Sequence, residues 1–152
     1  MAGRYTNDHL FRTSDGSLMP NSLRWFVGQG LLSFQPWRFF NTVEEFARIS
    51  RTFSSEDVRG RTVLVFMSHE GCDDFAGFEV VDGQVTPRVL HFHPVFGTGK
   101  EVPVERRTWD IVRGEYDNLF EFVARVVLED MREWASEDEF EDYFTQESES
   151  EA

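Results

Sequence analysis

Apolar positions along the chain recur at helical spacing, then in short β-like runs, then at helical spacing again. After Pro20-Asn21-Ser22, the residues Leu23, Phe26 and Val27 keep a helical period that Gly28 and Gly30 stop, which predicts a short helix. Thr42-Val43-Glu44-Glu45 has the form of a capping box, and Val43, Phe46, Ala47, Ile49, Ser50 and Phe53 continue one face, predicting a helix over 43–53. Trp37-Arg38-Phe39-Phe40 between them is aromatic and brief, a strand or a buried turn.

The period then changes. Arg61-Thr62-Val63-Leu64-Val65-Phe66-Met67 is short, apolar and β-branched, as suits a central strand covered on both faces. Phe75 to Val81 runs into Asp82-Gly83, a strong hairpin pair, followed by Gln84-Val85-Thr86. Arg88 to His93 is expected as the next strand, ended by Pro94, and Glu101-Val102-Pro103-Val104 as an edge strand. The final element is the most regular. Asn118-Leu119-Phe120-Glu121 is a second capping box, and Leu119, Phe122, Val123, Val126, Val127, Met131 and Trp134 make an apolar stripe that must be buried in the domain or against a partner.

These elements make a single α+β domain over 20–135, closed by a long C-terminal helix. Residues 1–19, polar and with the Ser14-Asp15-Gly16-Ser17 turn, are expected as a loosely packed arm. Residues 136–152 are expected as an acidic, partly disordered tail, with one further short turn carrying Phe140, Tyr143 and Phe144. The chain shows no internal repeat.

Charge changes this picture in one respect. The 152 residues carry a formal net charge of −13, but residues 129–152 hold eleven acids against Arg132, a net of −10, and leave the first 128 residues at −3. The tail is acidic, while the body is nearly balanced. Such a charge opposes direct nucleic-acid binding. A tail of this kind is a solvated terminus, bait for a basic partner, or a segment that folds on that partner through its aromatics. One cysteine excludes an internal disulfide, and no run reaches the length of a membrane span. The N-terminal residues lack the apolar stretch of a signal peptide, so a cytoplasmic location is expected.

Candidate chemistry is sparse. His91 and His93 project to one face of a strand, and with a carboxylate from Glu70, Asp73 or Asp74 they would make a three-ligand metal site for a hydrolase. Cys72 precedes two aspartates, whose charge disfavours a thiolate nucleophile. Gly97-Thr98-Gly99-Lys100 lacks the other residues of a phosphate loop, and Gly28-Gln29-Gly30 lacks the third glycine of a dinucleotide fingerprint. Sixteen phenylalanines mainly build core. No catalytic set emerges, and no cofactor or metal is expected.

Three stretches together carry a resemblance. Pro20-Asn21-Ser22-Leu23-Arg24-Trp25-Phe26, then Phe66 through Val80 with its Ser68-His69-Glu70-Gly71-Cys72-Asp73-Asp74 loop, then Tyr116-Asp117-Asn118-Leu119-Phe120-Glu121-Phe122-Val123 resemble the SUKH superfamily of Smi/Knr-like proteins, over about residues 18–130. The resemblance implies a mixed, mainly antiparallel sheet flanked by helices and a non-catalytic, protein-binding role. Many bacterial members look like immunity proteins that neutralise a toxin, often a nuclease. The expected partner is a protein, a basic toxin domain, with neither nucleic acid nor membrane contacted directly. The expected contact residues are Glu70, Asp73 and Asp74 in the central loop and Trp134, Glu137, Asp138, Phe140 and Tyr143 near the tail. The alternatives are the His91/His93 hydrolase and a scaffold subunit whose C-terminal helix packs in an assembly.

Overall fold

The computed structural model describes residues 8–96, 103, 106 and 109–142. Its elements are α1 (Asn21–Gly28), β1 (Ser33–Phe34), β2 (Trp37–Phe39), α2 (Val43–Glu56), β3 (Thr62–His69), β4 (Phe75–Val81), β5 (Gln84–Phe92) and β6 (Val112–Tyr116). A continuous C-terminal helix, α3, follows: α-helical Leu119–Phe122 and Leu128–Glu137 flank a π-helical stretch, Val123–Val127. The six strands form one antiparallel sheet in chain order, a meander, which with its helices makes the α+β domain expected.

Local chemistry accounts for the elements. The Thr42 hydroxyl accepts the Glu45 N–H at 3.2 Å and starts α2, while the Glu45 carboxylate accepts the Asn41 N–H at 3.1 Å, so the box closes one residue earlier than its ideal form. Asn118 caps α3 by accepting the Glu121 N–H at 3.0 Å. Asp82 and Gly83 both take positive φ, 52° and 76°, the backbone that a two-residue hairpin needs. β5 runs straight through Pro87, where two strands had been expected. Its pairing with β4 shifts there, Phe78 facing Val89 but Val80 facing Val85, so no ladder bond is asked of the proline nitrogen. The Thr86 hydroxyl instead donates to the Glu79 carbonyl at 2.7 Å.

Successive side chains of a strand point to opposite faces, and both faces are covered. On one, α2 packs Phe53 on Phe92 with ring centroids 4.7 Å apart. On the other, Phe122 of α3 meets Trp37, His91 and Tyr116 at 5.1, 5.8 and 5.4 Å. Val63, Val65, Phe66 and Met67 of β3 are all buried, as expected of a strand covered on both sides. The loose arm expected at 1–19 is not loose over residues 8–19. Leu10 and Met19 are core residues, and a bridge between Arg12 and Leu18 folds the segment back on itself. Two apolar side chains spaced by a polar turn are enough to anchor it. Arg61 closes the sheet's far end, binding Asp57 at 2.7 Å, Asp110 at 3.0 Å and Glu115 at 3.2 Å. The strand expected at 101–104 and the residues beyond 142 lie outside the described residues, apart from Pro103.

Candidate binding surface

Cross-strand register assembles the first half of the site. Trp37 faces His69, Phe75 faces Phe92, and Ala76 faces His91, so Trp37, His69, Asp74, His91 and His93 gather on the side of the sheet that α3 covers. Asp74 sits at the start of β4 and takes both imidazoles: His91 Nε2 lies 2.8 Å from one carboxylate oxygen and His93 Nδ1 2.5 Å from the other. Burial pushes the Asp74 carboxyl up, but the bonds and charge of the two histidines outweigh it and hold the group at about 2. The fully buried indole of Trp37 lies between His69 and His91, edge-on to each at 5.4 and 5.5 Å. Its N–H donates to Asp130 of α3 at 2.8 Å, and His69 Nε2 lies 3.8 Å from the same oxygen. Two carboxylate–histidine contacts thus flank one tryptophan and lock the β3–β4 loop and α3 to the sheet.

The histidines of the alternative metal arrangement are placed otherwise. Asp74 is the loop carboxylate that reaches His91 and His93, but as their hydrogen-bond partner; Glu70 is turned to Arg38 at 3.3 Å and to Gln35 at 3.1 Å. Among the described residues no group of three His, Cys, Asp or Glu side chains is placed to hold a metal ion. Cys72 is at the surface. Partial burial of its sulfur, with the charges of Asp74, Asp130 and Asp73 in addition, pushes the thiol up and away from a reactive thiolate.

The loop's backbone is pinned by the Glu70 N–H donating to the Pro36 carbonyl at 2.8 Å, the Gly71 N–H to His69 Nδ1 at 2.9 Å, and the His69 N–H to the Asp74 carbonyl at 2.9 Å. Trp134 of α3 lies on this loop. A Cβ added at Gly71 would come within 3.0 Å of both the Trp134 and His69 rings, so glycine permits the close approach. Beside Trp134, a cleft of about 290 Å³ opens between the β1–β2 turn, with Phe34 and Gln35, and Met131, Ala135, Asp138 and Phe140. Asp138 in its lining is exposed, as are Glu137 and, in the β3–β4 loop, Asp73, and Phe140 is 69% exposed.

The residues expected to make contact therefore divide. Trp134, Asp138 and Phe140 line one cleft, and Asp73 and Glu137 are exposed. Glu70 and Asp74 belong to the same loop but are spent on internal bonds that hold its shape. Tyr143 lies outside the described residues. Phe34, Gln35 and Met131 complete the cleft and were not anticipated, because only the chain's path brings the β1–β2 turn against α3. A larger cleft, about 630 Å³, lies between residues 8–19, α2 and the β4–β5 hairpin. Among its lining residues Arg12 donates to the Gly16 carbonyl at 2.9 Å, Asp15 accepts from Thr13 and Ser17, and His9 meets the Phe40 carbonyl at 3.3 Å.

No family model, curated protein or solved structure matches the chain.

Proposed function

We propose that the protein is a non-catalytic binding module of the SUKH immunity type, which neutralises a toxin, often a nuclease, by covering a basic surface on it. One observation carries this reading. Gly71 of the central acidic loop and Trp134 at the acidic end of α3, 63 residues apart in sequence, meet, and Trp134 with Asp138 lines an apolar cleft. An aromatic-lined cleft with a carboxylate rim is the arrangement expected of an interface whose affinity comes from buried anchors and whose association rate comes from charge.

Co-purification and calorimetry with the toxin domain encoded beside this chain test it. Trp134→Ala is expected to weaken binding by about 2 kcal/mol or more, as hot-spot truncations do, and Asp73→Arg with Asp138→Arg to slow association and flatten its salt dependence. Asp74 is unsuited to this test because its replacement breaks the loop itself. Absence of binding, or binding that none of these variants alters, overturns the proposal.

A further inference from the structure

α1 starts without a side-chain cap. Its capping position is Pro20, which makes no side-chain hydrogen bond, and its first turn holds no acidic residue. The N–H groups of Leu23 and Arg24 both turn to the Pro20 carbonyl, at 3.1 and 3.3 Å, whereas those of Asn21 and Ser22 have no acceptor among the described residues. Pro20, Asn21 and Ser22 border a cleft of about 300 Å³ whose other walls are Leu18, Val85, Pro87, Asn118 and Phe120. No charged residue lines it, in a chain of net −13. Ser22 itself is only 5% exposed, and its Oγ is the one buried side-chain polar atom among the described residues without a hydrogen-bond partner. Leaving a buried hydroxyl unpaired is unfavourable, and folded proteins seldom do so without a functional reason.

We infer that this cleft binds a small carboxylate carrying an apolar group, held by the Ser22 hydroxyl and the unpaired N–H groups at the start of α1. The proposal is independent of the immunity reading, since the cleft shares no residue with the one beside Trp134.

The chemistry of the lining selects this ligand. Unpaired N–H groups and aligned peptide dipoles place partial positive charge at a helix N-terminus, which favours an anion there. Asn118, the cap of α3, uses its side-chain oxygen to accept the Glu121 N–H and so keeps its amide N–H groups as donors. Leu18, Val85, Pro87 and Phe120 supply the apolar walls. A phosphate dianion would lose hydration against those walls with nothing to replace it, whereas a carboxylate brings a single charge to the donors and an apolar body to the walls.

Titration of the isotope-labelled full chain with sodium benzoate, at an ionic strength held constant with sodium chloride, tests this through its backbone amide resonances. Those of Asn21, Ser22 and Phe120 are expected to shift together and to saturate with a dissociation constant in the millimolar range, whereas benzyl alcohol, which keeps the ring and lacks the charge, should produce no saturating shift. Ser22→Ala should weaken benzoate binding about ten-fold, as the loss of a hydrogen bond to a charged group does. The same variant should keep or raise the thermal midpoint, because the hydroxyl has no partner within the protein to lose. Asn21→Asp puts a carboxylate at the start of α1, so it should raise the midpoint and abolish benzoate binding. Saturation by inorganic phosphate and not by benzoate, an equal response to benzyl alcohol, binding that either variant leaves unchanged, or a lower midpoint for Ser22→Ala overturns the proposal.

Discussion

Asp74, just before β4, holds His91 and His93 at the end of β5, and its ionisation is therefore linked to folding. Its carboxyl is lowered from 3.8 to about 2 in the native protein, so the native state favours the charged form. The stabilisation is present above about pH 4 and is lost as pH falls through about 2. A shift of this size corresponds to about 2 kcal/mol. Asp74→Asn should lower stability by about that amount near pH 7, and the gap to wild type should close toward pH 2, as read from urea midpoints across that range. A gap that does not narrow on acidification would contradict the linkage. The two histidines were visible in the sequence as a same-face pair, and so was a nearby carboxylate. Which carboxylate it was, and that it bonds the histidines where a cation had been the alternative, depended on the cross-strand register of β4 and β5. Arg61 is a parallel case: burial pushes the Asp57 carboxyl up, the Arg61 bonds more than reverse this, and two of its partners come from far along the chain.

At the level of elements, the helices were the most legible parts because their signals are local. The period of apolar residues, a cap, and a stop all lie within a few turns. Thr42→Ala removes the cap oxygen from α2 and leaves the Glu45 N–H without its acceptor, so a loss of about 1 kcal/mol is expected in chemical denaturation. A change below a few tenths would mean that water replaces the cap at no cost. β6 was not anticipated. Val112-Arg113-Gly114-Glu115-Tyr116 has charged residues and a glycine where a strand pattern wants β-branched ones, and it is a strand because β5 offers it an open edge. The π-helical turn at Val123–Val127 was likewise unsignalled; it sits where the helix passes from its buried first turn to its more exposed second half. The order of strands followed directly from short connections, which favour pairing of neighbours.

For the whole molecule, a charge of −13 concentrated beyond residue 128 means repulsion along and beyond α3, with Glu129, Glu133 and Glu137 at four-residue intervals on one helix. Raising salt from about 0.01 to about 0.5 M shortens the Debye length from about 30 Å to less than 5 Å and screens that repulsion. The thermal midpoint is expected to rise; a fall would show that the attractions centred on Arg61 outweigh it. The sequence by itself determined the helices, their caps, the β4–β5 hairpin, the two-sided central strand and the uneven charge, because each depends on residues close together in the chain. Tertiary structure alone decided that residues 8–19 join the core, that Asp74 is turned to two histidines while Asp73 stays exposed, and that Gly71 of the acidic loop meets Trp134 near the helix end. Those outcomes depend on contacts between segments tens of residues apart, and periodicity, which reports only which face of an element is apolar, carries no information on which other element covers it.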